Sequence, residues 1–203
     1  MFLTNSNSEE NNSKHYSSDR GILSLMYHRF NENKYPSTNI KMDVFYEQMV
    51  IIKNLIINDY GIISIMYHRF NENKYPSTNI RINDFKKHLE IIENEKMVFV
   101  NPKDFDRSMS KDLNTRKILL TIDDGYLSFY ENAWPILKNK KIPFILFIST
   151  REVGKNGYMN WKQINEISKE DFVEIGNHSH THDYLVDETN EIIRADIQKS
   201  INI

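Results

Sequence analysis

The most constraining feature of this chain is an exact internal repeat in its first half. Residues 26–40 read MYHRFNENKYPSTNI and residues 66–80 read the same, so the copies lie 66 − 26 = 40 positions apart. In each copy a short apolar run leads into this stretch, and apolar residues then recur at the i, i+4, i+7 spacing of one helix face. These helix positions are Phe45, Met49 and Ile52 in the first copy and Phe85, Leu89 and Ile92 in the second. Each copy is therefore predicted to form a strand, a polar turn region and a helix.

The repeat has two readings. A period near 40 residues also occurs in solenoid proteins, but those need at least three repeats and this chain has two copies. We therefore favour a local duplication. Residues 61–94 are expected to occupy the first-strand position, because they connect directly to the strand predicted at 97. Residues 1–60 are then expected to be largely dispensable, unless the first copy pairs at an open sheet edge.

Strand and helix patterns alternate from residue 61 onward. The predicted strands are 62–66, 97–100, 117–122, 143–148 and 172–175. Such alternation predicts an α/β fold with right-handed crossovers and a mostly parallel sheet, either open or closed into a barrel. In both cases a functional site is expected at the carboxyl ends of the strands.

Local signals predict where several helices begin. The candidate caps are Asn83 or Asp84, Asn101 followed by Pro102, Asn160 with Gln163 as a capping box, and Asp187. Trp161, in the first turn of its helix, is interpreted as a packing residue in preference to a sugar-stacking one.

Composition excludes several classes of protein. The 203 residues include 39% apolar and 12% aromatic residues, which is enough to form a core. A net charge of -2 argues against a nucleic-acid binder. With no cysteine, any metal must be held by His, Asp or Glu. The longest apolar runs, such as 142–148, are too short to span a bilayer.

The sequence pattern at the amino terminus is typical of neither a signal peptide nor a folded segment. Residues 4–20 are rich in Ser, Asn, Glu and Lys, and the segment 1–20 is interpreted as a disordered tail. We predict the division 1–20 tail, 21–60 duplicated segment and 61–203 main domain. A cytoplasmic location is expected for the chain as written, and an extracytoplasmic one if a further amino-terminal segment exists.

Two polar clusters follow predicted strands. The strand from Lys117 ends in Thr121-Ile122-Asp123-Asp124-Gly125, and the strand from Phe172 is followed by a stretch with histidine at 178, 180 and 182. Alone, the first cluster is typical of a turn and the second could be a polar loop. Together, a carboxylate and two imidazoles make a common ligand set for a catalytic divalent ion.

The spacing assigns roles within these clusters. His178 and His182 could reach one point if their loop turns helically, and His180 would then point elsewhere. Adjacent carboxylates allow one to bind the metal while the other takes a proton from the activated water. His68, at the end of an earlier strand, either lines the site or is an ordinary loop histidine.

These motifs resemble those of the polysaccharide deacetylases, the NodB-like carbohydrate esterase family 4. The TIDDG run at 121–125 resembles the family's T-F-D-D-G, with Ile122 in place of Phe, and HSHTH at 178–182 resembles H-[ST]-x-x-H. The strand ending in Tyr67-His68 and the stretch 130–147 are also similar. The resemblance covers residues 61–203.

The resemblance implies a distorted (β/α) barrel of about seven strands that removes acetyl groups from N-acetylated sugars of a polysaccharide with a divalent metal. It implies Asp123 as catalytic base and one metal ion, zinc first with cobalt or nickel as alternatives, held by Asp124, His178 and His182. Ser179 would steady the histidine loop. The charge balance and the short apolar runs predict no nucleic-acid partner and no membrane span, and the oligomeric state is left open.

The family's later motifs are expected to be missing. The resemblance implies an Arg-containing motif, an aromatic-acidic motif and a Leu-x-His general acid beyond the second motif, whereas the sequence ends at Ile203. We therefore expect about five of the seven strands, an incomplete barrel. Two other functions stay open: a truncated, duplicated fragment that is weakly active or non-catalytic but keeps the metal half-site, and a related hydrolase of small amides.

Overall fold

The computed structural model describes residues 22–26, 29–30, 39–40, 42–55, 62–75, 77–105, 108 and 115–203. The predicted disordered tail, residues 1–20, lies outside these ranges.

The elements alternate along the chain as predicted. The strands are β1 Ile22–Met26, β2 Arg29–Phe30, β3 Asn39–Ile40, β4 Ile62–Tyr67, β5 Arg69–Phe70, β6 Asn79–Ile80, β7 Val98–Phe99, β8 Lys117–Ile122, β9 Phe144–Ile148 and β10 Val173–Asn177. The helices are α1 Met42–Leu55, α2 Ile82–Asn94, α3 Trp134–Lys140, α4 Trp161–Ile167 and α5 Asn190–Ile201. Short 3₁₀ turns cover Pro102–Asp104 and Leu185–Asp187, and a π-helical turn covers Phe129–Ala133.

A parallel sheet forms the centre of the described structure. Its strand order is β1-β4-β8-β9-β10, and β7 pairs with the first residues of β8. This sheet contains all five strands predicted after residue 61. Two-residue strands that were not predicted form separate small sheets, β2 with β3 and β5 with β6.

The two copies of the repeat lie side by side in the sheet. β1 pairs in parallel with β4 so that Ile22 is opposite Ile62 and Met26 is opposite Met66, which are equivalent positions of the repeat. β4 in turn pairs with β8. The second copy therefore lies beside β8, as predicted, and the first copy pairs at its outer edge, which is the alternative expectation for that copy.

The first copy also contributes to the core through its helix. Phe45 and Met49 of α1 are completely buried. The Phe45 ring stacks on the His88 ring of α2, with centroids 3.9 Å apart. This packing argues against the expectation that residues 1–60 are dispensable, while the boundary at 60/61 stays a prediction.

Several helix starts differ from the sequence prediction. Asn160 and Gln163 form the predicted capping box, and the Asn101 side chain accepts from the Lys103 backbone N–H as expected of a cap. The other two predictions were wrong: α2 begins after Arg81, and Thr189 caps α5. Asp84 lies inside the first turn of α2 and pairs with Arg81 at 2.8 Å.

A π-helical turn leads directly into α3, whose second residue is Pro135. The stripe at 130–137 is helical as predicted, but its first part is a π-helical turn that ends directly before α3. Pro135 has no N–H to donate, so the regular bond to the carbonyl of residue 131 cannot form. Within the described ranges, no helix has both the length and the hydropathy needed to cross a membrane.

Candidate metal centre

The two polar clusters meet at one edge of the sheet. Asp123 and Asp124 follow β8, and His178 follows β10, while β9 pairs in parallel with both strands. Parallel strands direct their carboxyl ends to the same edge, so side chains 54 positions apart (178 − 124) in sequence become neighbours.

Three side chains converge to the spacing of a metal ligand set. His178 Nε2 lies 3.1 Å and His182 Nε2 lies 3.0 Å from Asp124 Oδ1. The ligand atoms of Asp124, His178 and His182 all lie within 4.8 Å of one another. An ion at about 2.0–2.2 Å from nitrogen and oxygen ligands requires donors this close together. The ligand set inferred from the resemblance is thus brought together in space.

The chemistry of these donors fits a cation. Asp124 Oδ1 is buried, and no residue in the described ranges makes a well-aligned hydrogen bond to it. Burial alone would raise the pKa of Asp124, but its contact with His178 and the charges of His68 and His182 outweigh burial and hold that pKa below its usual value. The side chains of His178 and His182 are 33% and 50% exposed, whereas the Asp124 side chain is 7% exposed, so the two rings contact solvent and the carboxylate is buried beneath them. A divalent ion would satisfy the carboxylate oxygen and leave positions for water or substrate.

Asp123 occupies a more buried position beside this group. Only 4% of the residue is exposed, and its backbone N–H donates to the Tyr67 carbonyl at 2.8 Å. Burial raises the pKa of Asp123 to about 6. The charge of His178 acts to lower this pKa, and the charge of Asp124 acts to raise it further. A carboxylate with a pKa this close to neutrality is suited to accept and return a proton.

The loops reach this geometry through left-handed backbone. Asp124 has φ 71° and Gly125 has φ 73°, and a Cβ on Gly125 would lie 2.9 Å from Ile148 Cδ1. Ser179 and His182 have φ 65° and 60°. The two histidine rings therefore meet without the helical turn that their spacing suggested as one way to bring them together, because residues in this conformation interrupt a right-handed helix. Left-handed non-glycine residues are costly and cluster at functional sites.

A set of hydrogen bonds holds the histidine loop in place. Ser179 Oγ accepts from the His182 backbone N–H at 3.0 Å, which fits the loop-steadying role inferred for Ser179. Asn177 Oδ1 accepts from the Ser179 N–H at 2.8 Å, and Ser149 Oγ donates to the His178 carbonyl at 2.8 Å. The sequence interpretation missed Asn177 and Ser149. Asn177 directly precedes the histidine motif, so its position could have indicated its role.

Asp196, on α5, also holds the histidine loop through hydrogen bonds. Its two carboxylate oxygens accept from the backbone N–H groups of His180 at 2.8 Å and Thr181 at 2.9 Å. Burial acts to raise the pKa of Asp196, but the Thr181 side chain, together with the two backbone hydrogen bonds and the charge of His180, holds that pKa below its usual value. The sequence interpretation missed this residue as well, and no spacing signal connects it with the loop.

The remaining candidates are distributed around this group. His180 is buried, and its Nδ1 is 2.8 Å from Thr150 Oγ1, so it points elsewhere as predicted. His68 is close enough to Asp124 for its charge to lower the pKa of that residue, which favours the site-lining interpretation. Trp161 is 46% exposed whereas Ile164 and Ile167 of the same helix are buried, so the packing interpretation of Trp161 was wrong.

Comparison with known proteins gives a family for this region. Residues 110–203 match the family model for polysaccharide deacetylase. A curated relative, the poly-beta-1,6-N-acetyl-D-glucosamine N-deacetylase of Staphylococcus aureus (strain MSSA476), is 37% identical over 70 residues, covering 32% of this chain and 24% of the relative. The chain thus spans about a quarter of the length of that relative.

Two solved structures resemble the fold. IcaB from Ammonifex degensii has a TM-score of 0.58 at 23% identity and is matched over 70% of both chains. The Streptococcus pyogenes deacetylase PplD, solved in complex with acetate, has a TM-score of 0.61 at 22% identity, covering 70% of this chain and 66% of PplD. At these identities the likeness concerns the fold, and it confirms the predicted fold class, an α/β chain forming part of a (β/α) barrel. The family match and the convergence of both family motifs on one sheet edge agree: residues 110–203 are similar to the polysaccharide deacetylase family.

Proposed function

We propose that this chain is a metal-dependent hydrolase that removes acetyl groups from N-acetylated sugars of a polysaccharide. The observation that carries the proposal is the pairing of the Asp124, His178 and His182 ligand set with the buried Asp123 carboxylate next to it. The named activity of the Staphylococcus aureus relative gives the substrate class.

The proposed metal is one divalent ion, zinc first, with cobalt or nickel as alternatives. Asp124 would supply the carboxylate oxygen, and His178 and His182 would supply Nε2 of each ring. When bound, such an ion polarises a carbonyl and lowers the pKa of a coordinated water.

The protein residues perform the remaining steps. Asp123 accepts the proton of the attacking water, because its pKa of about 6 lets it exist as a carboxylate at neutral pH and still hold a proton transiently. Side-chain oxygens of Asn177, Ser179 and Asp196 accept hydrogen bonds from backbone N–H groups of the histidine loop and hold it in place, so both rings would face the reacting acetamide without reorganisation. The proton held by Asp123 then passes to the leaving nitrogen as the amide C–N bond breaks, which releases acetate and the sugar amine.

Acetate release tests the proposal. The full chain, loaded with zinc, is incubated with a β-1,6-linked N-acetylglucosamine pentamer, with chitopentaose and with acetamide. We expect acetate from a pentamer and none after chelation of the metal. Release from acetamide alone would support the small-amide hydrolase, and metal binding without acetate release would support the non-catalytic alternative.

A further inference from the structure

The proposed base is fixed through its backbone. Asp123 Oδ1 is buried, and no group in the described ranges makes a well-aligned hydrogen bond to that oxygen. The Asp123 N–H donates to the Tyr67 carbonyl at 2.8 Å, one residue beyond the pairing of Tyr67 with Ile122 at the end of β4 and β8. Asp124 and Gly125, which follow, have left-handed backbone. The hydrogen bond to Tyr67 is therefore the point where the sheet holds Asp123 before the chain turns away.

The side chain of Tyr67 is anchored at its far end. Its ring is buried and meets the Phe85 ring edge-on, with centroids 5.2 Å apart. Its hydroxyl lies 2.6 Å from His88 Nδ1. Burial lowers the pKa of His88 to about 3, so the ring is neutral near neutral pH and its Nδ1 can accept from the hydroxyl. Packing and this hydrogen bond together restrict Tyr67, including the carbonyl that Asp123 contacts.

The first repeat copy packs against His88. The Phe45 ring of α1 stacks on the His88 ring of α2, at an interplanar angle of 14° and a centroid separation of 3.9 Å. Neither residue is exposed to solvent. A stack this close excludes water and leaves the imidazole no space to rotate, because core side chains are close-packed. Contacts thus run from Phe45 in the first copy, through His88 and Tyr67 in the second, to Asp123.

A single copy of the repeat does not supply this arrangement. Residues 26–40 and 66–80 are identical, but the first copy has Gln48 at the position equivalent to His88 (88 − 40 = 48). The second copy therefore provides the imidazole, and the first copy provides the ring that stacks on it. This division gives the duplicated segment a place in the support of the proposed base, beyond its contribution to the core.

We propose that the first repeat copy positions the proposed base: Phe45 holds His88, His88 holds Tyr67, and the Tyr67 carbonyl holds Asp123. The inference rests on the proposed function and deepens it, because it assigns the duplicated segment a part in proton transfer. Phe45, His88 and Tyr67 are positioning residues and do not touch the substrate. Small displacements of a reacting group slow a reaction strongly, so this support matters for catalysis.

Amide hydrogen exchange tests the support without relying on activity. Exchange of the Asp123 amide is measured by NMR on the full chain in chelator and is expressed relative to the amide of Leu120, inside β8. Global unfolding accelerates both amides, so the ratio reports the local support of Asp123. We expect His88→Leu, which keeps the site apolar but removes the acceptor for Tyr67, to raise this ratio about tenfold. His88→Gln retains an acceptor and should keep most of the protection.

A matched pair of variants on α1 tests the contribution of the first copy. Phe45→Leu keeps a buried apolar side chain but removes the stack on His88, so the same ratio should rise about 2–10-fold. Met49→Leu is the control, because Met49 is equally buried on the same helix and has no ring. On whichever pentamer yields acetate, Phe45→Leu and His88→Leu should lower kcat about tenfold at unchanged KM, whereas Met49→Leu should not.

The outcomes for the positioning role and for the proposed function can be told apart. An unchanged ratio in both His88→Leu and Phe45→Leu would overturn the positioning proposal, even if both variants are less stable and the chain releases acetate. An equal rise in Met49→Leu would also overturn it, because general loosening of the core would then explain the effect. An active chain whose kcat is unchanged in both variants would contradict the part in proton transfer. A rise confined to the two variants would uphold the positioning, and if the unchanged chain then releases no acetate, only the proposed function fails.

Discussion

The carboxylate of Asp196 accepts hydrogen bonds from two consecutive backbone N–H groups, that of His180 at 2.8 Å and that of Thr181 at 2.9 Å. Asp196 lies 16 residues after His180 in the sequence. Neither residue belongs to the proposed ligand set. The contact nevertheless fixes the centre of the loop that carries His178 and His182 at its ends.

Asp196 is therefore expected to act as a positioning residue for metal binding. Asp196→Asn replaces one of the two acceptor oxygens with an NH2 group, which cannot accept a hydrogen bond, so one loop N–H loses its partner. We expect zinc affinity, measured by competition with a chromogenic chelator, to fall about 10–100-fold. Asp187→Asn, which changes an exposed carboxylate before α5, should leave affinity unchanged. If Asp196→Asn keeps full zinc affinity but melts at a lower temperature when measured in chelator, Asp196 has a purely structural role.

The ligand set makes a direct prediction about metal content. Asp124→Ala, His178→Ala and His182→Ala should each remove most of the zinc that remains after dialysis, because each deletes one of three converging donors. His180→Ala should retain zinc, since its ring faces Thr150. Metal analysis by mass spectrometry checks this, and equal loss in the His180 variant would contradict the ligand assignment.

Integration of the first repeat copy predicts a large effect from its helix. Phe45 is completely buried and stacks on His88, so Phe45→Ala should lower the free energy of unfolding by about 3–5 kcal/mol. Val44, 37% exposed on the same helix, provides the control: Val44→Ala should change stability by less than about 0.5 kcal/mol. Urea denaturation measures both. Equal stability of the two variants would mean that the copy is not integrated.

His88 predicts a pH dependence of stability. Burial lowers the pKa of His88 to about 3 from the value of 6.5 expected in the unfolded chain. Below pH 6.5 the unfolded chain thus binds a proton that the folded chain does not, and the free energy of unfolding falls as the pH falls. The slope approaches about 1.4 kcal/mol per pH unit, or about 2 kcal/mol between pH 6.5 and 5.

A variant taken from the repeat isolates this effect. The first copy has Gln48 at the position equivalent to 88 (88 − 40 = 48). Gln can accept from the Tyr67 hydroxyl, which lies 2.6 Å from His88 Nδ1. His88→Gln should therefore flatten the pH dependence, measured by urea denaturation in chelator so that the metal ligands contribute equally. Parallel profiles for the two proteins would show that His88 is not buried in its neutral form.

Sequence patterns predicted those parts of the molecule that depend on periodicity and chain order. The five strands after residue 61 and the meeting of residues 123–124 with 178–182 follow from parallel alternation alone. The details of the loops could not be predicted in this way. Left-handed backbone at Ser179 and His182 depends on acceptors such as Asn177, and the clamp of Asp196 depends on where α5 docks. The exposure of Trp161 was missed because helix periodicity does not define how wide a face is buried.

The central claim is that two adjacent carboxylates divide the chemistry, with Asp124 holding the metal and Asp123 moving the proton. Kinetics of acetate release by Asp123→Asn, together with its zinc content, tests this most directly. Asn cannot accept a proton, so we predict full zinc occupancy and a fall in kcat of at least about 100-fold on whichever pentamer yields acetate with the unchanged chain. Retained turnover would contradict the claim by assigning the base to another residue, and loss of zinc in Asp123→Asn would contradict it by making Asp123 a ligand.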